Sequence, residues 1–147
     1  MGTVRDILNQ QQRHALQSIH PSETVLAATQ KMNKFSIGAL LVIDHEENLV
    51  GIFTERDVLR RVVAAELSPS ATQVGDVMTT QVACCKLETS VDDARSIFRQ
   101  FRIRHLPVAD DQGRVQGLIS IGDLNAHHSN HQEVTIHFLH EYLHGRT

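Results

Sequence analysis

Moved along by 66 positions, the chain matches itself without a gap from Thr24 to Val58. GIFTERDV, beginning at Gly51, falls on GLISIGDL, beginning at Gly117. Thr54 then meets Ser120 and Asp57 meets Asp123. The apolar pattern stays in phase over the same stretch: Val25 meets Val91, Ala28 meets Ala94, Phe35 meets Phe101, Leu40 meets Leu106 and Val42 meets Val108. Upstream, VRDIL at Val4 is similar to VGDVM at Val74, with a small change of offset. A chain built this way must fold as two copies of one supersecondary unit, each needing the other to bury its apolar face.

Each copy predicts the same order of elements. A short strand comes first, Ala15–Ile19 and then Gln81–Lys86. A helix follows, from about Ser22 to Lys34 and from about Ser90 to Phe101, with apolar residues at helical spacing. Ser22 or Thr24, and Thr89 or Ser90, are the N-cap candidates. Two strands come next, ALLVID with LVGIFT and HLPVAD with VQGLIS, joined by the polar turns HEEN and DQGR. ERDVLRRVVAAEL predicts a second helix, and a shorter one follows Ser120. The expected class is α/β (α+β): two β-α-β-β-α repeats, residues 1–66 and 67–126, with SPSATQ around Pro69 as linker and a helix over 127–147. One copy alone is marginal as a core. Two copies can pack sheet to sheet about a local pseudo-twofold axis, leaving a cleft with two related sites.

Several function classes lose support. The chain has no Trp and one Tyr, so aromatic platforms for nucleic-acid bases are scarce, and a net charge of −3 gives no general attraction to phosphate backbones. No apolar run has the length of a membrane span, and MGTVRDILNQ carries no signal-peptide core, so the expected location is cytoplasmic. Asp6 stands where a myristoylation motif needs a hydroxyl residue. Cys84 and Cys85 are adjacent, outside zinc or CxxC spacing, and read as strand residues. No nucleophile with a paired base, phosphate-cradling glycine loop or GxSxG marks an enzyme.

The paired DIL/DVMT starts, IGALLVID with IRHLPVAD, and above all GIFTERD with GLISIGD resemble the CBS-domain pair, or Bateman module. The resemblance runs from Val4 to about Leu124, and FTERD is similar to small stand-alone bacterial and archaeal members. It implies a regulatory module binding adenosine-containing ligands: AMP, ADP or ATP, in some members S-adenosylmethionine or NAD. It also implies homodimers in which four repeats form a disc, and a regulated partner protein.

Within that resemblance the repeated motif acquires a chemistry. Thr54 at a helix N-cap gathers a hydroxyl and free amides where an α-phosphate can sit, and Asp57 can accept from both hydroxyls of a ribose. Ser120 and Asp123 offer the same pair. The competing reading is a capping box, which needs no ligand. Ile37, Gly38 and Ala39 are candidates for a purine slot, matched by Ile103, Arg104 and His105, with ordinary core as the alternative for the two isoleucines. His20 and Lys86, before each first helix, and Pro107 complete the binding candidates. Arg56 is the candidate phosphate cation inside TERD. The second copy has Ile121 and Gly122 in place of Glu55 and Arg56, so the two sites should differ.

Six histidines fall between His127 and His144, and EVTIHFLHEYLHGRT predicts a final amphipathic helix ending at Gly145. His137, His140 and His144 share one face and are spaced for a metal ion; a polar helix face is the plainer reading.

Overall fold

The computed structural model describes residues 2–11 and 16–128. The expected tail helix and its metal candidates His137, His140 and His144 lie outside the described residues.

The elements run α1 (Val4–Gln10), β1 (Ser18–Ile19), α2 (Val25–Phe35), β2 (Ala39–Ile43), β3 (Leu49–Thr54), α3 (Glu55–Asp57), α4 (Val74–Val77), α5 (Val91–Phe101), β4 (His105–Ala109), β5 (Val115–Ser120) and α6 (Ile121–His128). A three-stranded sheet has the order β1-β2-β3, and β4 with β5 form a second sheet. Strand register obeys the repeat throughout. Ala39 opposes Thr54 and Val42 opposes Gly51; His105 opposes Ser120 and Val108 opposes Gly117. Both hairpins shift register at the same place, after Val42 and after Val108. The turns repeat too. Asp44 Oδ1 accepts from the amides of Glu46 and Asn48 at 2.9 Å each, and Asp110 Oδ1 from those of Gln112 and Arg114 at 2.9 Å each. Each turn passes through a left-handed residue, Glu47 at φ 66° and Gly113 at φ 83°.

Thr24 and Ser90, of the cap candidates, start the two long helices. Their hydroxyls accept from Ala27 N at 3.1 Å and Asp93 N at 3.0 Å. Both helices end on a left-handed C-cap, Ser36 at φ 55° and Arg102 at φ 54°. Their inward stripes, Val25, Ala28 and Met32 and then Val91, Ala94 and Phe98, fill two matching cores with Leu40, Val42 and Phe53 or with Leu106, Val108 and Ile119. The opposite strand faces are covered as well. Ala39, Leu41 and Ala109 are buried, as sheets packed face to face require.

Three elements depart from expectation. The strand expected over Gln81–Lys86 is only a parallel bridge between Cys85 and Val108. In the first copy Leu41 N donates to Gln17 O at 3.4 Å. The matching residue is Pro107, which has no N–H to give, so the ladder loses that bond. The helix expected from Glu55 to Leu67 widens after Asp57 into a π-helical turn over Val58–Val63. There Ala64 N bonds Leu59 O at 3.0 Å and Leu67 N bonds Val62 O at 2.9 Å. Val62 is buried while Leu59 and Val63 remain 61% and 59% exposed.

The third departure concerns the short helices, which change sides. Val4 and Ile7 of α1 sit in the core of the second repeat, and Val74 and Val77 of α4 in that of the first. The tethers match in pairs. Val4 N donates to Thr89 O and Val74 N to Glu23 O, both at 2.8 Å; Arg5 N reaches Leu87 O at 3.0 Å and Gly75 N reaches Pro21 O at 2.9 Å. This exchange explains the first residue of the repeated motif. A Cβ on Gly51 would stand 2.7 Å from Met78 Sδ, and one on Gly117 would stand 2.8 Å from Leu8 Cδ1. Glycine is needed at position 51, where Thr79 O would also stand 2.8 Å away, while at position 117 only the Leu8 side chain would have to shift.

Candidate functional site

The Thr54–Asp57 and Ser120–Asp123 pairs end β3 and β5 and open the helices that follow. In each, strand and helix meet at an extended hydroxyl residue whose oxygen turns back to the third amide. Asp57 N donates to Thr54 Oγ1 at 3.2 Å and Thr54 N to Asp57 Oδ2 at 3.0 Å. Asp123 N donates to Ser120 Oγ at 3.0 Å and Ser120 N to Asp123 Oδ2 at 2.8 Å. Both motifs therefore act as capping boxes.

Their surroundings differ. Asp57 is 5% exposed. Thr54 Oγ1 lies 3.2 Å from its Oδ2, Thr79 donates its hydroxyl to Oδ1 at 2.9 Å, and the Arg61 guanidinium stands 3.7 Å from Oδ1. Asp123 is half-buried. Its other partner is the Gln11 carboxamide, which reaches Oδ2 at 3.0 Å and Leu118 O at 3.0 Å. Sequence reasoning missed Thr79 and Gln11. Each follows one of the exchanged short helices, so each reaches the acid of the other repeat, a tertiary consequence without a local sequence signal.

A cleft of about 660 Å³ is lined by Met32, Asn33, Ser36, Ile37, Gly38, Glu55 and Val58 from the first repeat and His105 from the second. Ile37 and Gly38 thus share one cleft with His105, which the sequence places in a separate, matching slot of the second repeat. Glu55 leans across the slot: a Cβ on Gly38 would be 3.1 Å from Glu55 Oε1. Burial pushes the His105 imidazole below its ordinary value, with Arg104 acting the same way and Glu55 and Asp123 opposing it.

The other candidates lie apart from this cleft. Ala39 and Pro107 are buried within their strands, and Ile103 packs against the second core. Arg56 and Arg104 are exposed. Lys86 is paired with Asp111, which raises the lysine and lowers the carboxyl. His20 hydrogen-bonds Ser22 Oγ through Nδ1 at 2.7 Å and lies against His45, with ring centroids 4.0 Å apart and planes tilted by 39°. Thr54 and Asp57 do not line the cleft, while Asp123 borders a second depression of about 390 Å³ with Ile7, Gln10, Gln11 and Ala126. Among the described residues no group of three or more metal-binding side chains gathers, and no helix is long and apolar enough to cross a membrane.

The family model for the CBS domain matches residues 3–64 and again 74–128. The Arabidopsis thaliana "CBS domain-containing protein CBSX3, mitochondrial" is 39% identical over 106 residues, 69% of this chain and 51% of that protein. The chain therefore spans about half the length of that relative. An inosine-5'-monophosphate dehydrogenase of Methanocaldococcus jannaschii is 35% identical over 107 residues, 73% of this chain but 20% of the enzyme. Among solved structures, a Burkholderia ambifaria protein with CBS domains superposes with a TM-score of 0.83 at 38% identity, covering 88% of this chain and 96% of the other.

Proposed function

The chain belongs to the CBS-domain family, and on that premise we propose that it is a non-catalytic regulatory module that binds an adenosine-containing ligand, AMP, ADP or ATP, and passes the occupancy to a partner protein. The observation that carries this reading is the cleft that draws on both repeats, with Ile37 and Gly38 on one side and His105 on the other. A ligand seated there touches two bodies at once, so it favours one arrangement of the repeats by its differential affinity. Ile37 supplies apolar surface for a purine. Neutral His105 can take up a proton beside an incoming phosphate. Two chains of this fold, each 24% identical, are described in complex with AMP and with 5'-methylthioadenosine and S-adenosyl-L-methionine. Those ligands belong to those proteins, and they support adenosyl compounds as the class to test.

The test is calorimetry and thermal unfolding on nucleotide-stripped protein with AMP, ADP, ATP, S-adenosylmethionine and NADH. A ligand at a hundred times its Kd stabilises the folded chain by about 2.7 kcal/mol, and an adenylate should do so. If none shifts the melting curve at millimolar concentration while the chain still forms a homodimer or captures a protein, the module serves interaction alone.

A further inference from the structure

The two matched acids are held by unlike partners, and the difference decides where a ligand can enter. Asp57 is committed on both oxygens. Thr79, which donates to Oδ1, is itself fixed by a two-way backbone pairing with Ile52, at 2.9 Å in each direction. Freeing that oxygen means turning the Thr79 hydroxyl away inside the fold. Among the described residues, Asp123 is held through Oδ2, by its own cap and by the Gln11 side chain. Among the described residues no donor reaches its Oδ1. Gln11 follows α1 as its C-cap, with an extended backbone at φ −66° and ψ 138°. Its carboxamide can turn about side-chain bonds without moving a strand or helix.

The chemistry of that contact is specific. The carboxamide nitrogen carries two N–H groups and directs them at a carboxylate oxygen and a backbone carbonyl, both at 3.0 Å. A pair of vicinal hydroxyls offers two donors of the same kind. The contact stands at the mouth of the depression lined by Ile7, Gln10, Gln11, Asp123 and Ala126. We infer that the Gln11 carboxamide is a built-in occupant of the Asp123 site, which the hydroxyls of a ribose must displace, and that Asp57 takes no ligand. The inference rests on the adenylate reading above and adds a place for the sugar outside the cleft lining, at Asp123, whose charge acts on His105 of the cleft. Each chain binds sugar at one acid, and binding releases the end of α1. Since α1 carries Val4 and Ile7 of the second core, the release is felt by the segment that enters the repeat first.

AMP titrated into wild type, Gln11→Ala and Asp57→Asn, with calorimetry and side-chain amide NMR, tests this. An internal occupant present nine-tenths of the time leaves about one molecule in ten competent, so its removal tightens binding about tenfold. Gln11→Ala should therefore bind AMP about five- to tenfold more tightly, Asp57→Asn should match wild type, and saturation should move the Gln11 side-chain amide resonances of wild type toward solvent-exposed values. Equal affinity in wild type and Gln11→Ala, or weaker binding in the variant, overturns the role of Gln11 while leaving the adenylate reading intact. Absence of binding in every form by AMP, ADP and ATP alike overturns both. Should Gln11→Ala fold poorly, unmoved Gln11 amide resonances in AMP-saturated wild type are decisive against it.

Discussion

Replacing each motif acid with alanine should cost the fold very different amounts, although the two positions are sequence equivalents. Asp57→Ala removes a buried acceptor that serves Thr54 N, the Thr79 hydroxyl and, more distantly, Arg61. The half of the capping box that Asp57 supplies, its bond from Thr54 N, is worth about 1 kcal/mol. The Thr79 hydroxyl then has no acceptor beside a buried position, at about 1–3 kcal/mol. The expected total is about 2–4 kcal/mol, roughly 6–12 °C in Tm for a chain of this size. Asp123→Ala removes the same half of its capping box, but from a half-buried site beside an open depression, where water can satisfy Ser120 N and Gln11. Its cost should stay near 1 kcal/mol, about 2–4 °C. Urea unfolding of the ligand-free proteins, followed by circular dichroism, measures both. Asp57→Asn keeps an acceptor for Thr54 N and should recover part of the loss. Equal destabilisation by the two alanines, or a larger cost at Asp123, would refute the argument that burial and the Thr79 contact separate the acids.

Two further outcomes follow from single residues. His105 has its folded pKa held below the ordinary value of about 6.5, mainly by burial. The stability tied to its neutral form is therefore full above that value and is lost as pH falls through the folded one. Unfolding at pH 7 and pH 5 should show a pH-dependent loss that shrinks in His105→Asn; an unchanged loss would discount the histidine. Glu47 holds φ 66° where the second copy uses Gly113 at φ 83°. Glu47→Gly should raise stability by about 0.5–1 kcal/mol, and Gly113→Glu should lower it, since only glycine adopts that region without strain. Chemical denaturation resolves a change of this size, and a destabilised Glu47→Gly would contradict the turn geometry.

Much of this was legible in the sequence because the repeat carries it. The 66-residue offset holds through every strand pairing given for the two hairpins, the Asp44 and Asp110 turns, and both left-handed C-caps. What escaped was tertiary. The change of offset between VRDIL and VGDVM hinted that the starts of the repeats behave differently, but only packing shows α1 and α4 on opposite partners. Pro107 was visible, yet its effect on the Cys85 strand depends on which side of β4 the missing N–H faces. At the site, the capping boxes were foreseeable from the Thr-x-x-Asp and Ser-x-x-Asp spacing. The Gln11 and Thr79 contacts were not, because they join residues 112 and 22 positions apart.

The exchange of short helices has a mechanical meaning. Neither half of the chain owns a finished interior: cut at the linker, the leading fragment would lose the plug for its own hollow while keeping one shaped for the absent half. Two such fragments mixed in solution could only mend each other. In the intact molecule a tug on the amino end is borne by the distant repeat, so the halves are clasped like folded hands rather than set side by side.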